Sequence, residues 1–131
     1  MSFNATVSID GGTPIRVLHA SYALNRDVDA NGRPSSTVRG GTVQIELEST
    51  EDASLFAWMI DQYTTKNGVI TFFKRDSKTK MKELSWETGY IVTFSESYDH
   101  MGENPMTLHF VISAQKITVG DATHENPWPQ A

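Results

Sequence analysis

The chain has 131 residues, a formal net charge of −5 and no cysteine. Its length suits one domain, which would bury roughly 65 to 70% of the surface that the unfolded chain exposes. The lack of cysteine excludes disulfides, thiolate catalysis and zinc–thiolate sites, and the acidic balance disfavours nonspecific binding to nucleic acid, which needs lysine and arginine to neutralise phosphates.

The first 24 residues predict a β-hairpin. Alternation of apolar and polar side chains, typical of a half-buried strand, begins with Phe3, Ala5, Val7 and Ile9. A D-G-G-T turn at 10–13 leads to a second alternating segment at 14–24, whose shared apolar face is Leu18, Ala20, Tyr22 and Leu24. The start lacks the basic and apolar regions of a secretory signal, so we expect the chain to begin in the cytoplasm and any export to use another route.

The segment D-V-D-A-N-G at 27–32 resembles the first half of an EF-hand calcium loop. Asp27, Asp29, Asn31 and a glycine occupy the required positions, but the twelfth position, which needs a bidentate glutamate, is Val38. Predicted strands flank the loop where an EF-hand has helices: the segment at 14–24 precedes it, and a third strand, from Val38 through Val43, Ile45 and Leu47, follows it. The sequence therefore argues against a calcium site here.

One helix is predicted, from about Glu51 to Tyr63. Ser49 or Thr50 can cap its first amides, and Glu51 and Asp52 in the first turn suit the helix dipole. An apolar stripe at helical spacing, expected to pack against the core, consists of Leu55, Phe56, Met59, Ile60 and Tyr63.

Three more strands are predicted after the helix. The first is V-I-T-F-F-K-R, which follows residue 68. The second has one expected inward face made of Leu84, Trp86, Thr88, Tyr90, Val92 and Phe94, with Gly89 as a bulge or close-approach point. The third carries Met106, Leu108, Phe110, Ile112 and Ala114 on one face and runs to about Val119.

These elements predict a mainly β fold, an antiparallel β-barrel with one flanking helix. About seven strands with a helix between the third and fourth cannot form a parallel doubly wound sheet, which needs a crossover helix between successive strands. Residues 1–119 are expected to form the barrel domain, and the polar, proline-containing residues 120–131 an extended tail. No segment approaches the roughly 20 apolar residues of a membrane-spanning helix, so no membrane insertion is expected.

No pattern indicates catalysis, a cofactor or a metal. The histidines lack metal-ligand spacing, no carboxylate pair resembles an acid–base couple, and the serines lie in no nucleophile elbow. V-R-G-G-T at 38–42 enters a strand instead of a helix, so crowding of the backbone is a better explanation for its glycines than phosphate binding. The long loop between Asn25 and Thr37 suits contact with another protein.

Several segments together resemble the tube protein of the type VI secretion system, the haemolysin-coregulated protein family. They cover nearly the whole chain, and their order and spacing make the match specific. They are R-V-L-H-A-S-Y at 16–22, D-A-N-G-R-P-S-S-T-V-R-G-G at 29–41, E-S-T-E-D-A-S-L-F-A-W-M at 48–59, F-F-K-R-D-S at 72–77 and G-E-N-P-M-T at 102–107.

The resemblance implies a structural protein and not an enzyme. Six copies would form a ring, rings would stack into a tube inside a contractile sheath, and contraction would expel tube and spike, in some members with effectors in the lumen. Sheath, baseplate and spike proteins are the expected partners. Export would follow a cytoplasmic stage and need no signal peptide.

A ring that stacks needs two different interfaces on each subunit. Strand edges can supply the lateral one. In the family an extended loop reaches the adjacent ring, so the resemblance makes the loop after Asn25 the candidate axial contact, with Asp27, Asp29, Asn31, Arg33, Ser35, Ser36 and Arg39 as its candidate residues. Arg33 and Arg39 could pair with carboxylates of the next subunit or, alternatively, with Asp27 or Asp29 of their own loop.

Two further expectations concern the tail and the competing functions. Trp128 is either part of a disordered end or an aromatic anchor on its own or a neighbouring subunit. Besides the tube subunit, two functions stay open: a specialised paralogue that carries cargo, and a stand-alone ligand-binding barrel with an apolar pocket.

Overall fold

The computed structural model describes residues 4–36, 38–74, 79–103 and 105–126. This part of the chain contains seven strands and one helix. In chain order they are β1 (Asn4–Ile9), β2 (Ile15–Asn25), β3 (Arg39–Glu48), α1 (Ser54–Ile60), β4 (Lys66–Phe73), β5 (Lys80–Tyr98), β6 (Met106–Val119) and β7 (Ala122–Glu125).

Six strands close into an antiparallel barrel, which confirms the predicted fold. Their order is β3-β2-β1-β4-β5-β6, and β6 pairs back onto β3. The seventh strand, β7, pairs with the last residues of β6 beyond the end of the β3–β6 ladder. Because neighbouring strands run in opposite directions, the β2–β3 connection lies at one end of the barrel, and the connection that carries α1 lies at the other.

Aliphatic and aromatic side chains fill the barrel. None of the described polar or charged residues is fully buried. The alternation of β3 and β6 accounts for much of this core, as the sequence predicts. Its members are Val7, Val43, Ile45, Leu47, Trp58, Ile70, Leu84, Trp86, Ile91, Leu108, Phe110, Ile112, Ala114 and Ile117.

Trp86 occupies the interior beside two glycines. A Cβ placed on Gly68 would lie 2.2 Å from the Trp86 ring, and one placed on Gly89 would lie 2.7 Å from it. The indole Nε1 donates a hydrogen bond to the Lys66 carbonyl at 3.0 Å, so burial leaves its polar group satisfied. The ring fits because Gly68 on the neighbouring β4 and Gly89 on β5 itself have no side chain where it lies, which confirms Gly89 as a close-approach point.

The prediction of a single inward face along β5 is wrong for the middle of the strand. Tyr90 is 37% exposed and Val92 is 49% exposed, whereas Gly89 and Ile91 are buried. The alternation therefore changes face after Trp86.

Two register shifts explain the change. The pairing of β5 with β4 is irregular between Trp86 and Gly89, where Thr88 adopts a positive φ of 54°. The pairing with β6 shifts again between Ile91 and Thr93. Each extra residue moves the alternation by one position, so side chains expected inside lie outside until the second shift restores the pattern.

The helix is shorter than predicted. It spans Ser54–Ile60 instead of 51–63, and neither Ser49 nor Thr50 caps it. Instead, the Asp52 carboxylate accepts a hydrogen bond of 2.8 Å from the N–H of the first helical residue. The preceding residues form a turn, which accounts for the shift in the start.

The predicted core-facing stripe of the helix is also wrong for most of its members. Trp58, outside the stripe, is the buried helical residue, and its Nε1 donates to the Thr64 carbonyl at 3.0 Å. Leu55 is half-buried. The exposed stripe residues are Phe56, Met59, Ile60 and Tyr63. Spacing identified an apolar face, but insertion of the larger indole turned most of that face outward.

The residues after 119 are not only a tail. Ala122–Glu125 form β7, because the exposed edge of β6 at Lys116–Val119 offers them main-chain hydrogen bonds. Residues 127–131 lie outside the described part. Within the described part of the chain, no helix has the length and apolar character needed to cross a bilayer.

The Gly68→Ala substitution should destabilise the protein by about 1–3 kcal/mol, because the added methyl overlaps the Trp86 ring. Urea unfolding would measure the loss. In a Trp86→Phe background the same substitution should cost clearly less, since the smaller ring leaves space for the methyl. Equal costs in the two backgrounds would show that the ring does not set the glycine requirement.

Candidate assembly surfaces

The β2–β3 loop, of which residues 26–36 and 38 are described, folds around one carboxylate. Asp29 Oδ1 accepts hydrogen bonds from the backbone N–H of Asn31 at 2.9 Å and of Arg33 at 3.0 Å. The Asp29 N–H donates to the Arg33 carbonyl, and the N–H of Gly32, at a φ of 83°, donates to the Asp29 carbonyl. The EF-hand-like spacing thus produces a tight turn closed by its own aspartate.

A short neck holds this turn on the barrel. Val28 and Pro34 form an isolated bridge. The N–H of Ser35 donates to the Asp27 carbonyl at 2.8 Å, and the Asp27 N–H donates to Ser36 Oγ at 2.9 Å. Four candidate residues, Asp27, Asp29, Ser35 and Ser36, therefore contribute to the loop's own shape.

Arg33 is exposed at this turn. Within the described residues Arg33 has no carboxylate at ion-pair distance. Asn31 is exposed beside it. Arg39 begins β3, but its side chain lies outside the described part, as do Thr37 and Trp128.

Two strands extend beyond their barrel neighbours. The pairing of β1 with β2 is limited to Thr6↔Arg16 and Val7↔Ile15, although β2 continues to Asn25. The pairing of β4 with β5 ends at Gly89. Within the described residues, the later part of each strand has a neighbour on one side only.

These two free edges belong to one continuous sheet, the assembly sheet, whose strand order is β2-β3-β6-β5. One free edge is the β1 side of β2 after Arg16, and the other is the β4 side of β5 from Ile91 onwards. Exposed main-chain edges are templates for pairing with another chain. Because the two edges differ, pairing would be head-to-tail.

Apolar side chains are exposed beside the β5 edge. Phe56 of α1 stacks on Phe94 of β5, with ring centroids 5.9 Å apart. Ile60 and Tyr63 are 72% and 82% exposed, and Val92 of β5 is also exposed. Clustered apolar groups on a surface are typical of protein contacts.

A hydrogen-bonded turn ends this helical surface. The Thr64 side chain and the backbone N–H of Tyr63 both donate to Asp61, and these bonds lower the pKa of that carboxyl. The bonded carboxylate fixes the chain as it leaves α1 for β4.

Some polar residues lie close together across neighbouring strands. Register places His19 and His109 on either side of Glu46 across β2, β3 and β6. The described residues contain no cluster of three histidine or carboxylate ligands suited to a metal ion. His100 lies in the loop after β5, and His124 lies in β7.

Comparison with known proteins identifies a family. The profile of "Hemolysin coregulated protein Hcp (TssD)" matches residues 1–129. Hcp1 from Flavobacterium johnsoniae is 41% identical and superposes with a TM-score of 0.88, covering 94% of this chain and 99% of that chain. A search of curated proteins gave no match.

More distant structures share the fold. Hcp1 from Salmonella typhimurium has 12% identity and a TM-score of 0.69, covering 94% of this chain and 91% of that chain. The sheath/tube terminator of the extracellular contractile injection system PVC has 13% identity and a TM-score of 0.63, covering 88% of this chain and 92% of that chain. The fold therefore persists where most side chains differ.

Proposed function

Because this chain belongs to the hemolysin-coregulated protein family, Hcp or TssD, we propose that six copies form a ring and that rings stack into the inner tube of a type VI secretion system. The family is one of structural tube proteins, so the chain is a tube subunit, and the prediction that it is not an enzyme is confirmed. Proteins of this family are secreted by type VI or related injection systems and assemble by stacking within a sheath.

The two free edges of the assembly sheet carry the proposal of a ring. The edge of β2 after Arg16 on one subunit would pair with the edge of β5 from Ile91 onwards on the next. A repeated head-to-tail contact closes when its rotation matches the copy number. The apolar side chains of α1 and β5 would then be covered beside that contact.

The position of the β2–β3 loop supports axial stacking. The loop lies at the barrel end opposite α1, so it can reach the next ring when rings face the same way. Asp29 and the neck hold its shape, which leaves the exposed Arg33 side chain available for a carboxylate on the adjacent subunit. Arg39 is the second proposed contact of this surface.

The outer face of the assembly sheet suits the wall of a lumen. In β3, Gln44, Glu46 and Glu48 alternate with buried aliphatic residues, so the outward side is polar. A polar wall lets a hydrated cargo pass without a large apolar contact. We propose effector proteins as cargo, sheath, baseplate and spike proteins as further partners, and a cytoplasmic stage before secretion.

The packing of the barrel argues against a stand-alone ligand carrier. Trp86, Phe110 and Ile112 are essentially inaccessible to solvent and occupy the interior that a ligand would need. A paralogue specialised for cargo would form the same ring as the main tube protein, so ring formation does not distinguish the two. Co-purification of one effector, instead of empty rings, would distinguish it from the main tube protein.

Lysines on the free edge of β2 should block ring formation. The Ala23→Lys, Leu24→Lys double variant leaves the core intact, because both positions are exposed, but it places two charges where the proposed neighbour docks. In sedimentation velocity we expect hexamers for the parent and mainly monomers for this variant. Thr13→Lys with Pro14→Lys, in the exposed β1–β2 turn, provides the matched control. Hexamers that survive the β2 lysines would refute this edge as the ring contact.

Reversing the charge of Arg33 should weaken stacking without dissolving rings. For Arg33→Glu we expect the protein concentration at half-maximal tube formation to rise roughly tenfold, the effect of losing one favourable charge pair and gaining repulsion. Electron microscopy would count tubes and single rings. Arg16→Glu, an exposed reversal at the start of β2, is the control. Tubes of normal length with Arg33→Glu would remove the residue from the axial contact.

For the C-terminal aromatic, we propose that Trp128 anchors the chain end on its own or a neighbouring subunit. Trp128→Ala should then lower the thermal midpoint of the ring, whereas Gln130→Ala should not. Equal midpoints for both variants and the parent would favour the disordered-end interpretation.

A further inference from the structure

The edge of β6 passes from one partner to another near the β2–β3 loop. Pairing of β3 with β6 ends at Thr42↔Ser113, and pairing of β7 with β6 covers Lys116–Val119. Between these ladders, Ala114 and Gln115 face no strand partner on that side within the described residues. Among the described residues, the part of β3 before Thr42 therefore has β2 as its only strand neighbour.

Asn126 fills this gap. Its side-chain Nδ2 donates to the Gly40 carbonyl at 2.7 Å and to the Ala114 carbonyl at 3.0 Å. Its backbone N–H donates to the Gln115 carbonyl at 2.7 Å. Asn126 Oδ1 lies 3.0 Å from His124 Nε2, so a proton on that ring nitrogen completes the hydrogen bonding of the amide.

Glycine permits the close approach. Gly41 is buried with a φ of 93°, and a Cβ there would lie 3.3 Å from Asn126 Nδ2 and 3.4 Å from the Ala114 carbonyl oxygen. The crowding point predicted from V-R-G-G-T is therefore real, and the group that approaches it is the C-terminal segment.

The base of the loop depends on this contact. Gly40 pairs with Leu24, and the next pair, Asn25↔Arg39, is where the loop begins and ends. Without a third partner these residues would form a two-stranded ribbon, which is marginally stable in water. Asn126 supplies the third partner through the Gly40 carbonyl.

We propose that Asn126 is a positioning residue for ring stacking: it clamps β3 to β6 at the base of the β2–β3 loop and thereby fixes the direction in which the loop leaves the barrel. The inference rests on the proposed axial role of that loop. Ring formation uses the strand edges and does not require the clamp.

Hydrogen exchange of the full-length rings tests the clamp directly. In Asn126→Asp an oxygen replaces the donating nitrogen beside two carbonyls, and Asn126→Ala provides a second variant without the added charge. In both we expect the loop amides of Asp29, Gly32 and Ser35 to exchange on the order of tenfold faster, while the barrel core keeps its protection. Thr123→Ala, which removes an exposed contact to Thr118 from β7, is the matched control. Asp29→Ala, which removes the carboxylate that closes the turn, provides the reference exchange rate for an opened loop.

Tube assembly supplies the second readout. Both Asn126 variants should form rings in sedimentation velocity but should need roughly tenfold more protein to stack, as expected for a misdirected charge contact. Loop exchange no faster than in Thr123→Ala would overturn the clamp, as would faster exchange spread over the whole barrel. Faster loop exchange with normal stacking would instead overturn the axial role of the loop.

Discussion

The Trp86 indole within the barrel is the constraint to which much of the structure is fitted. Its bulk requires glycine at position 68 on the neighbouring β4 and at position 89 on its own strand, β5. The irregular pairing of β5 lies directly after it, where Thr88 takes a positive φ. That irregularity turns Tyr90 and Val92 outward. The packing of one large ring is thus coupled to the surface that β5 presents to a neighbouring subunit.

The strands β2 and β5 are longer than the closed barrel requires, and their additional residues form the proposed interfaces. The half-buried residues of β2 lie between Val17 and Ala20, and the buried residues of β5 lie between Leu84 and Ile91, so the last residues of both strands contribute little to the core. The rest of β2 and of β5 extends past β1 and β4. A monomeric barrel would gain little from these extensions, and their free hydrogen-bonding groups would be a hazard. They become useful when the partner is another copy of the chain.

Alternation in the sequence predicted the barrel well where strands are regular. In β3 and β6, apolar residues at every second position from Val43 to Leu47 and from Leu108 to Ala114 are buried as expected, whereas Met106 is exposed. Periodicity could not place the bulges of β5, because a shift of one residue is set by the ring beside it. It also could not decide which side of α1 faces inward, since Trp58 competes with the apolar stripe.

The assembly residues were predictable to different degrees. Asp29 is recognisable from local spacing, because D-A-N-G is a turn sequence whose aspartate can bond the amides that follow. Asn126 is not, since its partner Gly40 is 86 positions away and the polar segment around it has the composition of a tail. The free edges of β2 and β5 follow only from knowing which strands are neighbours.

A contact made by main-chain strand edges and a contact made by side chains of a loop place different constraints on the sequence. Edge pairing uses backbone groups that every residue except proline provides, so a lateral contact of this kind tolerates extensive change of side chains. The proposed axial contact depends instead on the charges of Arg33 and Arg39, and the turn that carries Arg33 needs Asp29 for its shape and Asn126 at its base. Discrimination between related subunits should therefore depend on the loop, because a single substitution there changes the charge of the contact or the direction in which the loop leaves the barrel. In the proposed tube the lateral contact closes each ring, and the axial contact determines which rings stack on each other.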